Sequence, residues 1–235
     1  LQGLISGSID LDKTDYLKRD AMMCGVAYGE VASEMAVQIV SQGVTGLGSA
    51  TESEAPKRLE ASMKAANRAI YDRMLAETEK QGMGTTASVL LVSESGFLIG
   101  QIGDSRIYLL RDGALVQLTK YHSYVQEQVD AGLLTPEQAR NHPYSNVITR
   151  CVGSSEEVGV DLFAGEPQVG DVFLVASDGL TGMVEEGRLQ QLLLARTGPG
   201  RVVDALIAEA NARGGLDNIT AIVVQVDALG EVAGG

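Results

Sequence analysis

The fold is decided by residues 86–118, TASVLLVSESGFLIGQIGDSRIYLLRDGALVQL. Short apolar runs alternate there with polar turns, which is the pattern of successive β-strands. The runs are Ser88–Val92, Phe97–Ile102, Arg106–Leu110 and Ala114–Leu118. The turn at Asp112-Gly113 is the clearest, because this residue pair tolerates the positive φ angles of a tight hairpin. The stretch therefore predicts an antiparallel meander.

Two amphipathic helices are predicted before these strands, and each should cover one face of a sheet. Apolar residues recur every three or four positions in Glu30–Val44 and again from about Glu54, so each helix has one face to bury. Further helices are predicted at Ser123–Ala131, from Thr135-Pro136, at Gly187–Leu194 and at Val202–Ala212, with strands at Asp171–Ala176 and Ile219–Val226. No repeat or low-complexity break divides the pattern, so we expect a single domain over residues 1–235.

Composition indicates which binding partners and which cellular compartment to expect. The net charge of −13 argues against nucleic acid and anionic membranes, both of which attract basic surfaces. Cys24 and Cys151 are too few for a disulfide framework and have no zinc-site spacing. With no apolar run of membrane-spanning length and no signal peptide, we expect a cytoplasmic protein, and a monomer.

Three aspartates follow or precede strands. Asp104 comes after the strand that ends at Ile102, Asp178 comes after Ala176, and Asp217 precedes the final strand. Carboxylates at strand ends can converge on one rim of a sheet, where they suit hard cations such as Mg²⁺ or Mn²⁺. Aspartate beside Gly or Asn is also ordinary turn chemistry, and spacing alone favours that interpretation.

Six segments, taken together, favour the metal-site interpretation of these aspartates over turn chemistry. In chain order they are GMGTT (82–86), GDSRIYLLRDG (103–113), LTKYHS (118–123), NVITRCVG (146–153), ASDGL (176–180) and GGLDNIT (214–220). Their order and spacing resemble the motifs of bacterial metal-dependent protein phosphatases of the 2C type. The resemblance implies an α+β fold, a sandwich of two antiparallel β-sheets flanked by α-helices in four layers, α-β-β-α.

The resemblance also implies an activity. In that family two divalent cations, Mg²⁺ or Mn²⁺, activate a water that hydrolyses phosphoserine or phosphothreonine in proteins. Asp178 and Asp217 match ligands of the metal pair, and both act in catalysis through the metals. Asp104, with Asp178, matches a weaker third metal site. The implied partners are a phosphorylated protein substrate and a cognate Ser/Thr kinase.

The first two family motifs are not legible in this sequence. The aspartate that bridges both metals falls on Ala21 in one alignment and on Tyr28 in another, and no arginine precedes Asp15 at the family spacing. Cys24-Gly25-Val26-Ala27 joins Tyr28 as though a loop had been excised. Tyr121 stands where the family has an aspartate.

Two alternatives follow from these departures. The polypeptide lacks the loop and is a pseudophosphatase that binds phosphoproteins or regulates a partner without hydrolysis. Alternatively, the working protein contains the loop and is an enzyme, which the clean junction of the flanks favours. Neither His122 nor His142 has a partner at metal-site spacing, so a structural role is predicted for both histidines. Arg150 is either structural or lines the flap region that differs between family members.

Overall fold

The computed structural model describes residues 29–140, 142–145 and 147–229. The helices are α1 (Gly29–Val44), α2 (Ala55–Ala76), α3 (Tyr124–Asp130), α4 (Pro136–Arg140), α5 (Asp178–Thr181), α6 (Glu186–Leu194) and α7 (Pro199–Ala212). The strands are β1 (Ala87–Ser93), β2 (Gly96–Ile102), β3 (Arg106–Arg111), β4 (Ala114–Gln117), β5 (Asp161–Gly165), β6 (Val172–Ala176) and β7 (Ala221–Gln225). None of the helices in these ranges is both long enough and apolar enough to cross a membrane.

Two antiparallel sheets are present, with strand orders β1-β2-β5 and β4-β3-β6-β7. The predicted single meander over residues 86–118 is therefore wrong, although its four strands are all present. The strands form two hairpins, β1-β2 and β3-β4, and each hairpin belongs to a different sheet. Sequence periodicity identifies strands but cannot show which distant strand each one pairs with.

The chain crosses between the sheets at Gly103. Its φ of +107° is a conformation that side chains rarely adopt, and a Cβ there would lie 2.4 Å from Cγ2 of Thr86. Glycine is thus required both for the backbone angle and for the close approach of Thr86, the residue before strand β1. The residue that follows this crossing is Asp104, so the turn between the sheets also positions one predicted site residue.

Three apolar layers hold the sheets and helices together. Helices α1 and α2 pack on the first sheet through residues that include Leu59, Met63 and Ile70, and α6 and α7 pack on the second sheet. Between the sheets, Phe97 and Phe173 meet edge to face with ring centroids 5.1 Å apart. The predicted four-layer α-β-β-α sandwich is confirmed.

Local sequence explains where several elements begin. Ser123 caps α3 by accepting a hydrogen bond from the Gln126 N–H, and Thr135 caps α4 with a reciprocal bond from its own N–H to Gln138. In the β3-β4 hairpin, Asp112 and Gly113 have the positive φ values that their sequence predicts. The predicted helix and strand limits agree with the structure within a few residues, but β5 and α5 were not predicted.

A cleft of about 1230 Å³ lies between α1 and the two sheets. Strands β1 and β7 line it, and each is the outermost strand of its sheet among the described residues. Ser105 and Ser177, the neighbours of Asp104 and Asp178, also line this cleft. It therefore leads to the edge of the sandwich where the predicted site residues lie.

Candidate metal centre

Asp104 lies in a firmly held turn between β2 and β3. The fully buried Gln101 donates from Nε2 to the carbonyl oxygens of Gly103 (3.1 Å) and Ser105 (2.9 Å), on either side of Asp104. Gln101 Oε1 in turn accepts a hydrogen bond from Ser88 Oγ at 2.6 Å. A buried and satisfied amide of this kind fixes the backbone around Asp104.

Asp178 opens α5 directly after β6, as the strand-end argument predicts. Its carboxylate accepts the Gly179 N–H at 2.9 Å. The preceding residue, Ser177, links the corner after β6 (residues 177–179) to the corner before β7 (residues 217–220). Its Oγ donates to the Asn218 carbonyl (3.0 Å) and accepts from the Thr220 N–H (2.9 Å). The corner of β6 and the corner of β7 are therefore joined as one unit.

Asp217 lies against the same corner. A Cβ on Gly179 would stand 2.3 Å from the Asn218 carbonyl oxygen and 3.2 Å from Cβ of Asp217. Only glycine permits so close an approach between α5 and this segment. The Asp-Gly pair at 178–179 therefore has a steric purpose: the second residue lets the chain that carries Asp217 come beside the first.

Asp104 and Asp178 lie at the same end of the second sheet, because Arg106 at the start of β3 pairs with Ala176 at the end of β6. Burial raises the pKa of Asp104 to about 7, and the carboxylate of Asp178 pushes it in the same direction. Two partly buried carboxylates that repel one another gain from a cation between them. Their oxygen donors are also those preferred by Mg²⁺ and Mn²⁺, so the residues present fit a hard divalent ion.

The described residues do not complete a metal site. Within residues 29–140, 142–145 and 147–229, no group of three or more His, Cys, Asp or Glu side chains is arranged to hold an ion. The structure brings Asp104 to Asp178 and places Asp217 beside Gly179. Ala21, Tyr28 and Asp15, on which the first two family motifs would fall, lie outside the described residues.

Tyr121, which replaces a family aspartate, packs on a half-buried arginine. The guanidinium carbon of Arg106 lies 4.2 Å from the centre of the Tyr121 ring, and Arg106 Nη1 is 3.3 Å from the Tyr108 hydroxyl. The aromatic ring thus provides a cation–π partner for the arginine two residues after Asp104. The sequence singled out Tyr121 only as a departure from the motif and gave no sign of this contact.

The two histidines have different environments. His122 is buried at 8% exposure and bonds both Gly103 and Asp161, so it supports the turn that carries Asp104. Burial lowers its pKa, the Arg150 charge adds to this, and Asp161 opposes it. His142 instead packs with Tyr124 and Tyr144 at ring distances of 6.0 and 5.6 Å. Both histidines make structural contacts, but only His122 contacts the turn next to Asp104.

Comparison with known proteins identifies the family. The profile of the family described as protein phosphatase 2C matches residues 24–199. The serine/threonine phosphatase stp of Listeria monocytogenes is 38% identical over 208 residues, covering 87% of this chain and 82% of the relative. The crystal structure of the serine/threonine phosphatase Stp1 from Staphylococcus aureus superposes with a TM-score of 0.82 at 31% identity, covering 87% of this chain and 80% of that one. The catalytic domain of the phosphatase PstP, solved in complex with two manganese ions, has a TM-score of 0.73 at 34% identity, covering 83% and 80%. The chain belongs to the protein phosphatase 2C family.

Proposed function

We propose that this protein is a metal-dependent phosphatase that hydrolyses phosphoserine and phosphothreonine in other proteins. One observation carries the proposal. Asp104 and Asp178 lie at the same end of neighbouring strands in a 2C-type sandwich, where burial and the Asp178 carboxylate raise the pKa of Asp104, and paired carboxylates of this kind suit a divalent cation. The packing of Gly179 against residues 217 and 218 brings a further carboxylate to the same corner.

Each aspartate has a distinct part in this proposal. Asp178 and Asp217 hold the metal pair, and Asp104 with Asp178 holds a third, weaker ion. Bound Mg²⁺ or Mn²⁺ would supply a water of lowered pKa and neutralise charge on the phosphoryl group. The hydrogen bonds of Ser177 keep the Asp178 corner fixed against Asn218 and Thr220, so the donors need little rearrangement to bind an ion.

A cysteine-based mechanism has no support in the described part of the chain. Cys151 is buried, and burial raises the pKa of its thiol to about 11, so it is protonated at neutral pH. A thiol must ionise to act as a nucleophile. Direct attack by water on the phosphoryl group therefore fits the described residues better than a phosphocysteine intermediate.

The proposal extends to partners and compartment. The substrate is a protein that a Ser/Thr kinase has phosphorylated. The domain, residues 1–235, acts as a monomer. The free thiol of Cys151 suits a reducing compartment, so we place the protein in the cytoplasm. The net charge of −13 supports a protein rather than a nucleic-acid partner.

The test is turnover of a phosphothreonine peptide by the purified chain of verified mass, titrated with Mn²⁺ and with Mg²⁺. We expect phosphate release that rises with metal, stops with EDTA, and is much slower on a phosphotyrosine peptide. A monodisperse protein with native circular dichroism and no turnover in either metal would contradict the proposal. Binding of the same phosphopeptide without hydrolysis would then identify a phosphoprotein-binding pseudophosphatase.

A further inference from the structure

The turn before Asp104 is held by a histidine that lies 19 residues further along the chain. The Gly103 N–H donates to Nδ1 of His122 at 2.9 Å, and the His122 N–H donates to the Gly103 carbonyl at 2.8 Å. Both backbone polar groups of Gly103 are thus satisfied by one residue. Because Gly103 has a φ of +107°, its conformation depends on such external bonds.

The far side of the imidazole is held as well. Nε2 of His122 lies 3.0 Å from Oδ2 of Asp161, whose Oδ1 accepts a hydrogen bond from Nη1 of Arg150 at 2.8 Å. A backbone N–H can only donate, so Nδ1 must be the acceptor and Nε2 must carry the hydrogen. Asp161 therefore fixes the ring in the tautomer that Gly103 requires.

This chain of contacts ends at one residue of the metal centre. Arg150 orients Asp161, Asp161 orients His122, and His122 sets the backbone immediately before Asp104. The segment that carries His122 is itself fixed, because the Thr149 N–H donates to the His122 carbonyl at 2.9 Å. Residues behind a metal ligand commonly change metal affinity by 10- to 100-fold through orientation alone.

We propose that His122 is a positioning residue, which with Asp161 and Arg150 sets the direction in which Asp104 presents its carboxylate toward Asp178. The inference rests on the proposed function only for the role of Asp104 as a metal ligand. A purely structural alternative is that the three residues tie the segment around residues 148–150 to the sheet without affecting the metal centre.

Two substitutions of the same residue separate these interpretations. In His122→Asn, the side-chain oxygen can take the place of Nδ1 and keep the Gly103 bond while losing Asp161. In His122→Gln, the amide reaches the place of Nε2, keeping Asp161 and losing the acceptor for Gly103. Positioning predicts that Mn²⁺ affinity falls about tenfold in His122→Gln and is largely kept in His122→Asn. If His122 only ties the segment to the sheet through Asp161, His122→Asn should lower the melting temperature more than His122→Gln does. Mn²⁺ affinity should then be unchanged in both variants.

Asp161→Asn tests the tautomer directly. An amide that donates to Nε2 drives the hydrogen to Nδ1, where it opposes the Gly103 N–H. In metal-free protein, ¹⁵N spectra of the His122 ring should show the Nε2–H form, with a scalar coupling across the Gly103 N–H···Nδ1 bond. In Asp161→Asn the coupling should vanish and Gly103 amide exchange should quicken. An Nδ1–H ring in the unmodified protein overturns the proposal.

Mn²⁺ binding, measured by electron paramagnetic resonance on folded protein, completes the test. We expect Asp104→Asn to weaken a Mn²⁺ site, and His122→Gln to weaken the same site without a further effect in the double variant. If His122→Gln does not fold, the milder Arg150→Gln, at the solvent-facing end of the network, replaces it in the Mn²⁺ affinity measurement. Unmodified protein with no Asp104-dependent Mn²⁺ site, or His122→Gln with unchanged affinity, overturns the inference. Asp104-dependent binding without phosphatase turnover would refute the proposed function and leave the inference standing.

Discussion

Replacing Gly179 with alanine tests the steric account of the candidate metal centre. The added Cβ would lie 2.3 Å from the Asn218 carbonyl oxygen, whereas ordinary contacts begin at 3.4 Å. The obstacle is backbone, which cannot rotate away, so the two segments must separate by about 1 Å. Overpacking of this kind costs typically 1–3 kcal/mol, partly offset because alanine favours the helix by up to about 1 kcal/mol.

The matched control is Gly187→Ala. Gly187 lies in α6, and a Cβ there would meet no atom within 4 Å. This variant should be unchanged or more stable by up to about 1 kcal/mol. A net loss of about 2 kcal/mol in Gly179→Ala corresponds to a melting temperature lower by about 4–8 °C for a domain of this size.

Thermal unfolding and Mn²⁺ affinity, measured on both variants, give the result. Because Asp217 moves with Asn218, Gly179→Ala should also weaken Mn²⁺ binding, whereas Gly187→Ala should not. A Gly179→Ala protein with the melting temperature and the Mn²⁺ affinity of the unmodified chain would refute the reasoning. It would show that the two corners are not held together as the structure describes.

Three further outcomes are expected. Asp171→Ala should lower the free energy of unfolding by about 1–3 kcal/mol in urea denaturation, because the Arg111 guanidinium and the Gln168 N–H lose the buried carboxylate that accepts their hydrogen bonds at 2.7–2.8 Å; an unchanged free energy of unfolding would contradict this. The same carboxylate should make the protein acid-sensitive. Burial raises the pKa of Asp171, but the Arg111 and Gln168 hydrogen bonds outweigh it and hold the pKa below the usual 3.8, so this contribution is complete above that pH and is lost as pH falls through the folded-state pKa. Denaturation from pH 6 to pH 2 should therefore show a smaller acid-dependent loss in Asp171→Ala than in the unmodified chain; equal losses would disprove the link. Finally, Tyr121→Ala should cost about 0.5–2 kcal/mol through loss of the contact with Arg106, and Tyr121→Phe should keep most of it; equal melting temperatures for Ala and Phe would rule out the stacking energy.

Local chemistry made much of the fold predictable. The Asp112-Gly113 pair predicted its hairpin, and helical periodicity predicted both ends of α1 and the start of α2 to within about one residue. The pairing of strands was not predictable, because the switch between sheets at Gly103 depends on contact with Thr86, which strand periods do not encode. Strand β5 was missed because Asp161–Gly165 is short and its apolar pattern is weak.

The site was predictable only in part. Strand ends gave Asp104 and Asp178, and the structure brings these two together. The link from His122 to Asp161 spans 39 residues and exists only in the folded chain. Likewise, the stacking of Tyr121 on Arg106 joins residues 15 positions apart and exists only in the folded chain. A sequence motif marks such positions without showing what they touch.

The most direct test of the central claim compares two aspartate variants of the chain. Asp178→Asn removes the carboxylate shared by the proposed metal sites, whereas Asp204→Asn removes the same charge from the exposed surface of α7. With a phosphothreonine peptide and saturating Mn²⁺, the account predicts that kcat falls at least about 100-fold in Asp178→Asn and stays unchanged in Asp204→Asn. Equal turnover by both variants would contradict the assignment of catalysis to this acidic corner.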